Sequence, residues 1–237
     1  MKAEILYEDN AVLVCVKPYG MPVQVDQTRD PDLLDHLKTV ISEREDLDEE
    51  PYLAMVHRLD RPVGGIMVFA KTPQAAARLS DQVQDGTMVK YYQAVVNGLM
   101  PEETGVLRDY LLKDGKTNLS RVVKEGTKGA KRAELEYEVL DEMETDQGVL
   151  SYVLIRLVTG RHHQIRAQLK HCGCSIYGDA KYGCAGKNGK KNGGQIALYA
   201  TRLEFTHPET GEKLVFKTEP EGSAFDILDL EEAMSFS

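Results

Sequence analysis

His57-Arg58-Leu59-Asp60-Arg61-Pro62-Val63-Gly64-Gly65 is the stretch on which the reading of this chain turns. An acid set between two arginines three residues apart is more than a solvated charge. Pro62 and the Gly64-Gly65 pair predict a loop directly after it. A carboxylate held on a rigid loop beside cations is what a nucleophile or a general base requires. The alternative is an ion pair that only pins the loop. Downstream, residues 66–70 read as a strand, and Thr72-Pro73 opens a helix that Gly86 closes. Upstream, residues 5–8 and 11–17 are apolar runs around Asp9-Asn10, which predicts a hairpin broken by Pro18 to Pro22. Asp30 as cap and Pro31 in the first turn predict a helix with Leu33, Leu34, Leu37, Val40 and Ile41 on one face. The acidic run 43–50 then reads as a surface loop.

Further along, residues 88–97 read as a strand. Residues 98–129 are rich in turn formers and predict short strands or an insertion. Ala133, Leu135, Tyr137 and Val139 alternate with Glu134, Glu136 and Glu138, the mark of a half-exposed strand. Residues 149–158 form a more buried one. Thr159-Gly160-Arg161-His162-His163-Gln164-Ile165-Arg166 follows it and opens a short helix to about residue 172. Such a place presents backbone N–H groups and cations to an anion; helix capping with solvated cations is the plainer alternative. Residues 187–194 read as a loop, 197–205 and 213–217 as a hairpin, and 225–234 as an acidic amphipathic helix. This order predicts an α+β fold with a mixed, largely antiparallel sheet and flanking helices.

The 237 residues are 42% hydrophobic and 28% charged, a globular balance. No apolar run reaches the length of a membrane span, and the first residues carry no signal-peptide core, so no membrane association and a cytoplasmic setting are expected. Cys15, Cys172, Cys174 and Cys184 are then expected as free thiols. The spacing of His171, Cys172, Cys174 and Cys184 is not that of a zinc site, and no metal or cofactor is expected. The net charge of −9 argues against a nucleic-acid partner, but its distribution does not. Residues 113–132 hold seven Lys/Arg and two acids, and residues 156–191 hold eight Lys/Arg and one acid. Two such segments in an acidic chain can form one phosphate-binding face.

The two stretches together resemble the RluA-type family of pseudouridine synthases. The resemblance starts at Ile5-Leu6-Tyr7-Glu8-Asp9-Asn10 and Val16-Lys17-Pro18-Tyr19-Gly20-Met21-Pro22-Val23. It continues through His57 to Arg61, Gly65, Phe69-Ala70-Lys71-Thr72 and Lys90-Tyr91-Tyr92-Gln93-Ala94, with Val96 and Gly98. Thr159-Gly160-Arg161, His163-Gln164-Ile165-Arg166, Gly178-Asp179 and Tyr182-Gly183 carry a long third motif. Leu198, Ala200, Leu203, Phe205, His207 and Pro208 carry the closing one. Five such strings in the right order cover most of the chain.

The resemblance implies an isomerase that breaks the glycosidic bond of a uridine in structured ribosomal or transfer RNA and re-forms it at carbon-5, without cofactor. It puts Asp60 on the essential aspartate, Tyr92 on the active-site tyrosine, Arg166 on the basic residue that pairs with the aspartate, and Leu198 on an apolar residue near the base. Asp60 attacks the anomeric carbon or removes a sugar proton; both remain open. Arg58, Arg61, Arg161, His163 and Gln164, together with Lys128, Lys131 and Arg132, are the expected RNA contacts. Pro62, His162 and Tyr199 depart from the family pattern and bear on substrate preference. Residues 1–218 are expected to be the catalytic domain, monomeric and without an obligate protein partner, with 219–237 an acidic tail packed on it. The hairpin starts almost at Met1, so no preceding RNA-binding domain is expected. Rival readings are a non-catalytic RNA-binding module and a hydrolase using a His57–Asp60 pair.

Overall fold

Alternation, caps and turns set most of the elements before any packing is considered. Asp9 closes the first hairpin by accepting the N–H groups of Ala11 and Val12, each at 2.8 Å, between β1 (Glu4–Glu8) and β2 (Val12–Lys17). Helix α1 (Leu33–Glu45) is capped by Asp32, whose carboxylate accepts from the N–H of Asp35, and not by the expected Asp30. Asp30 instead meets Arg61. The helix also runs into the acidic segment and ends at Asp46 in the left-handed region. Helix α2 (Pro73–Asp85) follows its sequence signals throughout: Thr72 caps it, Pro73 opens it and Gly86 ends it at φ +81°.

The computed structural model describes residues 3–26, 28–146, 148–183 and 195–227. The expected loop at 187–194, Cys184 and most of the expected last helix lie outside them. The chain divides into two compact units, residues 1–90 with 200–219, and residues 91–199 with 220–237. Both are built on a mixed, mostly antiparallel sheet with few helices, as the element order predicts.

In the first unit the strand order is β1-β2-β4-β10, with β3 (Ala54–Met55) on β4 (Gly64–Ala70) and β11 (Lys213–Lys217) on β10 (Leu198–Thr206). Val12, Val14, Ile66, Val68, Leu203 and Phe205 bury one face beneath Leu79 of α2. Gly64 and Gly65 do not form the expected loop; they begin β4 itself. Gly65 sits at φ +120°, and a Cβ there would lie 2.3 Å from the carbonyl oxygen of Ala200. Its missing side chain is what lets the two backbones approach. Gly65→Ala is expected to destabilise the protein by at least about 2 kcal/mol, from strain and collision together. The check is the urea midpoint, and an unchanged midpoint would deny the close approach.

In the second unit the order is β5-β9-β8-β6-β7, for β5 (Val89–Asn97), β6 (Thr104–Asp114), β7 (Leu119–Val123), β8 (Lys131–Thr145) and β9 (Gly148–Leu157). The turn-rich segment after Gly98 is thus a long hairpin. Ala133, Leu135 and Tyr137 of β8 are buried while Glu138 is exposed, the predicted alternation. Helix α3 (Gln164–His171) packs on β6 and β7. Among the described residues no helix is long and apolar enough to cross a membrane. Cys15, Cys172 and Cys174 are free thiols.

Candidate active site

The Asp60 loop is held by its backbone on both sides of the acid. Leu59 and Val63 are buried, and the Asp60 carbonyl accepts the N–H of Val63 at 2.9 Å, which closes the turn. The Arg61 carbonyl accepts from the N–H of Gly20 at 3.0 Å and from Nζ of Lys17 at 3.1 Å. Lys17 ends β2 and is fully buried. Its ammonium also donates to the carbonyls of Pro18, at 2.9 Å, and Met21, at 2.8 Å. Burial pushes Lys17 down to about 7; the charge of Asp60 works against that shift and the charge of Arg61 adds to it. A buried cation within electrostatic reach of Asp60 was given no role by sequence reasoning. The signal for it is a lysine closing an apolar strand immediately before a Pro-Gly-Pro break.

Asp60 is half-buried and Arg58 is exposed. Arg61 is spent on structure: Nε donates to the Gly20 carbonyl at 2.9 Å, one terminal nitrogen to Thr28 Oγ1 at 3.0 Å, and the other to Asp30. It pins the 20–30 segment, the alternative weighed for this motif, so its guanidinium is already engaged where an RNA contact was expected. His57 is also structural. Its Nε2 accepts the N–H of Val68 on β4 at 3.1 Å, and burial pushes its pKa down to about 3, with Lys90 contributing. A ring that is neutral and accepting at Nε2 has no free basic nitrogen for the hydrolase reading.

In the second unit, Tyr92 stands on β5 opposite Ile155 of β9 and is 6% exposed. Arg166 stands in the first turn of α3, buried, and binds Asp179 through two bonds: Nε to Oδ2 and a terminal nitrogen to Oδ1, both 2.7 Å. Burial works to raise the Asp179 pKa, but the guanidinium and the backbone N–H groups of Tyr182 and Lys181 outweigh it and hold the carboxyl below its usual range. The planar fork fixes the orientation of Arg166 as a lysine could not.

The remaining expected contacts divide by burial. Gln164 is 3% exposed and faces inward. Its Nε2 donates to the Glu134 carbonyl at 3.0 Å, and its Oε1 accepts from Thr159 Oγ1 at 2.8 Å and from the Arg161 N–H at 2.9 Å. The Gln164 amide thus clamps α3 to β8 and caps the Arg161 N–H, and it is buried where an RNA contact was expected. His163 takes the left-handed conformation at φ 52° and makes no side-chain cap. Leu198 is buried. Lys128, Lys131, Arg132 and Arg161 are all exposed, and Arg161 Nε donates to the Arg132 carbonyl at 2.9 Å. The two basic segments of the sequence therefore meet at this point.

The family described as RNA pseudouridylate synthase matches residues 11–171, a span that contains Asp60, Tyr92 and Arg166. The chain is 32% identical to a protein named ribosomal large subunit pseudouridine synthase D from Neisseria meningitidis serogroup B, over 97% of this chain and 61% of that one. It is also 32% identical to a tRNA pseudouridine synthase C from Haemophilus ducreyi, over 90% of this chain and 89% of that one. A solved structure, human RNA pseudouridylate synthase domain containing 4, superposes with a TM-score of 0.77 at 23% identity, covering 96% of this chain and 92% of that one; it shares the fold. The chain belongs to the RNA pseudouridylate synthase family. It spans about three fifths of the length of the Neisseria relative.

Proposed function

We propose that this chain isomerises uridine to pseudouridine in structured ribosomal or transfer RNA, with Asp60 as the catalytic carboxylate. The observation that carries this reading is the family match across residues 11–171. The names of the relatives, one for large-subunit ribosomal RNA and one for tRNA, support either class of substrate. Both residues next to Asp60 are held through their backbone or their burial, which is how a reacting group is kept in place.

The reaction breaks the bond from C1′ to N1, forms one from C1′ to C5, removes the C5 proton and returns one proton to N1. Atoms are conserved and no redox change occurs. It needs a carboxylate at the sugar, a surface for the ring and a base for the proton. Asp60 takes the first role, by attack on C1′ or by removing a sugar proton. Tyr92 supplies the ring surface, Leu198 packs near the base, and Arg166 is the cation that pairs with the carboxylate. That Asp60, Tyr92 and Arg166 act on one uridine is part of the proposal. A uridine in a helix must leave its stack first, at a few kcal/mol. The test is release of tritium from transcripts labelled at uridine C5, with pseudouridine mapping of total RNA from cells with and without this gene. No release from any ribosomal or transfer RNA would end the reading.

RNA affinity is expected to fall steeply with salt despite the net charge of −9. Lys128→Ala, Lys131→Ala and Arg132→Ala combined should weaken binding and flatten the salt slope by about one unit per lost phosphate contact. Fluorescence anisotropy over a salt series measures it, and an unchanged slope would take these side chains off the phosphates. Arg132 is the weakest of the three because Glu134 holds its guanidinium at 2.6 Å.

A further inference from the structure

The second unit contains a closed polar ring to which the proposed chemistry gives no role. Tyr182 is its hub, 7% exposed and packed with Leu111, Ala133 and Ala167. The Tyr182 hydroxyl accepts the backbone N–H of Ser120 on β7 at 2.6 Å. The same hydroxyl is hydrogen-bonded to His163 Nδ1, 3.0 Å away. His162 stacks on His163 with ring centres 3.8 Å apart, and its Nδ1 lies 2.9 Å from Ser120 Oγ, which returns the path to β7. Two ties therefore join Ser120 of β7 to the start of α3, one through the Tyr182 hydroxyl and one through His162. The other side of Tyr182 faces Arg166. The guanidinium lies 5.1 Å from the centre of the Tyr182 ring, and the Tyr182 N–H donates to Asp179 Oδ1, an oxygen that also binds Arg166.

What β7 carries makes this arrangement consequential. The β6–β7 hairpin exposes Lys113, Lys116 and Arg121, and Lys124 follows directly. These exposed cations are suited to phosphate, and the hairpin that carries them is fixed to α3 through Tyr182 at Ser120, beside its turn. We propose that Tyr182 is a positioning residue: it orients Arg166 and couples it to the basic hairpin, so that RNA held by the hairpin is registered at Arg166. The proposal rests on the function proposed above. His162 belongs to the same device, and it stands where the family pattern departs.

Tyr182→Phe separates the roles. It keeps the ring under Arg166 and the N–H to Asp179, and removes only the hydroxyl that carries the first tie. Its turnover rate at saturating RNA should fall about tenfold, the scale of one lost hydrogen bond expressed in a rate. RNA affinity should change less than about threefold, because every hairpin cation remains. The decisive measurement is a cycle with the Arg121→Ala/Lys124→Ala pair. Those substitutions should lower the saturated rate of the Tyr182 enzyme and have no further effect on Tyr182→Phe. Additive effects, or a wild-type rate in Tyr182→Phe, would overturn the coupling while leaving the function intact; a wild-type enzyme without turnover would instead remove the function. If Tyr182→Phe does not fold, Ser120→Ala/His162→Ala cuts the second tie and keeps the hydroxyl, and the same non-additivity with the hairpin pair is expected. Hydrogen exchange at Arg166 Nε–H, read without RNA, should speed at least about tenfold in Tyr182→Phe; unchanged exchange also overturns the proposal.

Discussion

Asp60→Asn is expected to abolish turnover, by at least about 10⁴-fold, the usual scale for removal of a group that acts on the reacting atoms. Asparagine has nearly the shape of aspartate and none of its nucleophilicity or basicity. The fold should survive. The loop is anchored by Leu59 and Val63, by the bond from Val63 N–H to the Asp60 carbonyl, and by Lys17 and Gly20 on the Arg61 carbonyl, and none of these uses the Asp60 side chain. RNA affinity should remain close to that of the wild type, since the exposed cations are untouched. Tritium release together with a binding isotherm on the same preparation decides the matter. Appreciable product from clean Asp60→Asn protein would falsify the assignment and leave the carboxylate a structural residue.

Asp179→Asn should produce the largest stability effect. Arg166 and Asp179 are both buried, with two bonds between them. Removing one partner of such a buried pair costs about 3–5 kcal/mol, because the guanidinium loses the charge that its two bonds to Asp179 supply. The sign of the pH dependence follows from the depressed pKa of Asp179. A carboxyl held below its unfolded value contributes stability that is present above the unfolded pKa and lost as pH falls through the folded pKa. The difference in stability between wild type and Asp179→Asn should therefore be full at neutral pH and shrink on acidification. Arg166→Lys should recover part of what Arg166→Ala loses, since the charge survives and the planar fork does not. Chemical denaturation at pH 7 and at about pH 3 tests this, and a difference that grows on acidification would contradict it.

Much of the fold was legible because its signals are local. Thr72-Pro73 and Gly86 bound α2 where they were expected to, and Asp9 makes the first hairpin turn. The alternation of Ala133, Leu135 and Tyr137 with glutamates fixed which face of β8 is buried. The misreadings are equally instructive. Asp30 and Asp32 are both competent caps, and the choice fell to Asp32 because Arg61, 31 residues along the chain, engages Asp30. Gly64-Gly65 reads locally as a turn, yet it is the approach of the Ala200 backbone that requires glycine there.

For the candidate site, the sequence by itself determined the family, since the order of its motifs is a property of the chain alone. It could not determine where side chains turn or what they meet. Gln164 faces inward because β8 offers it a carbonyl 30 residues away. Arg166 finds Asp179 13 residues on, and Lys17 finds the Arg61 carbonyl 44 residues on. Ser120 and Tyr182 meet across 62 residues. Burial turns each of these into a strong constraint, because a polar group taken out of water must be paired. The pairing is chosen by whichever distant backbone the packed sheet brings near, and that information lies in the tertiary structure and not in the spacing of the motifs.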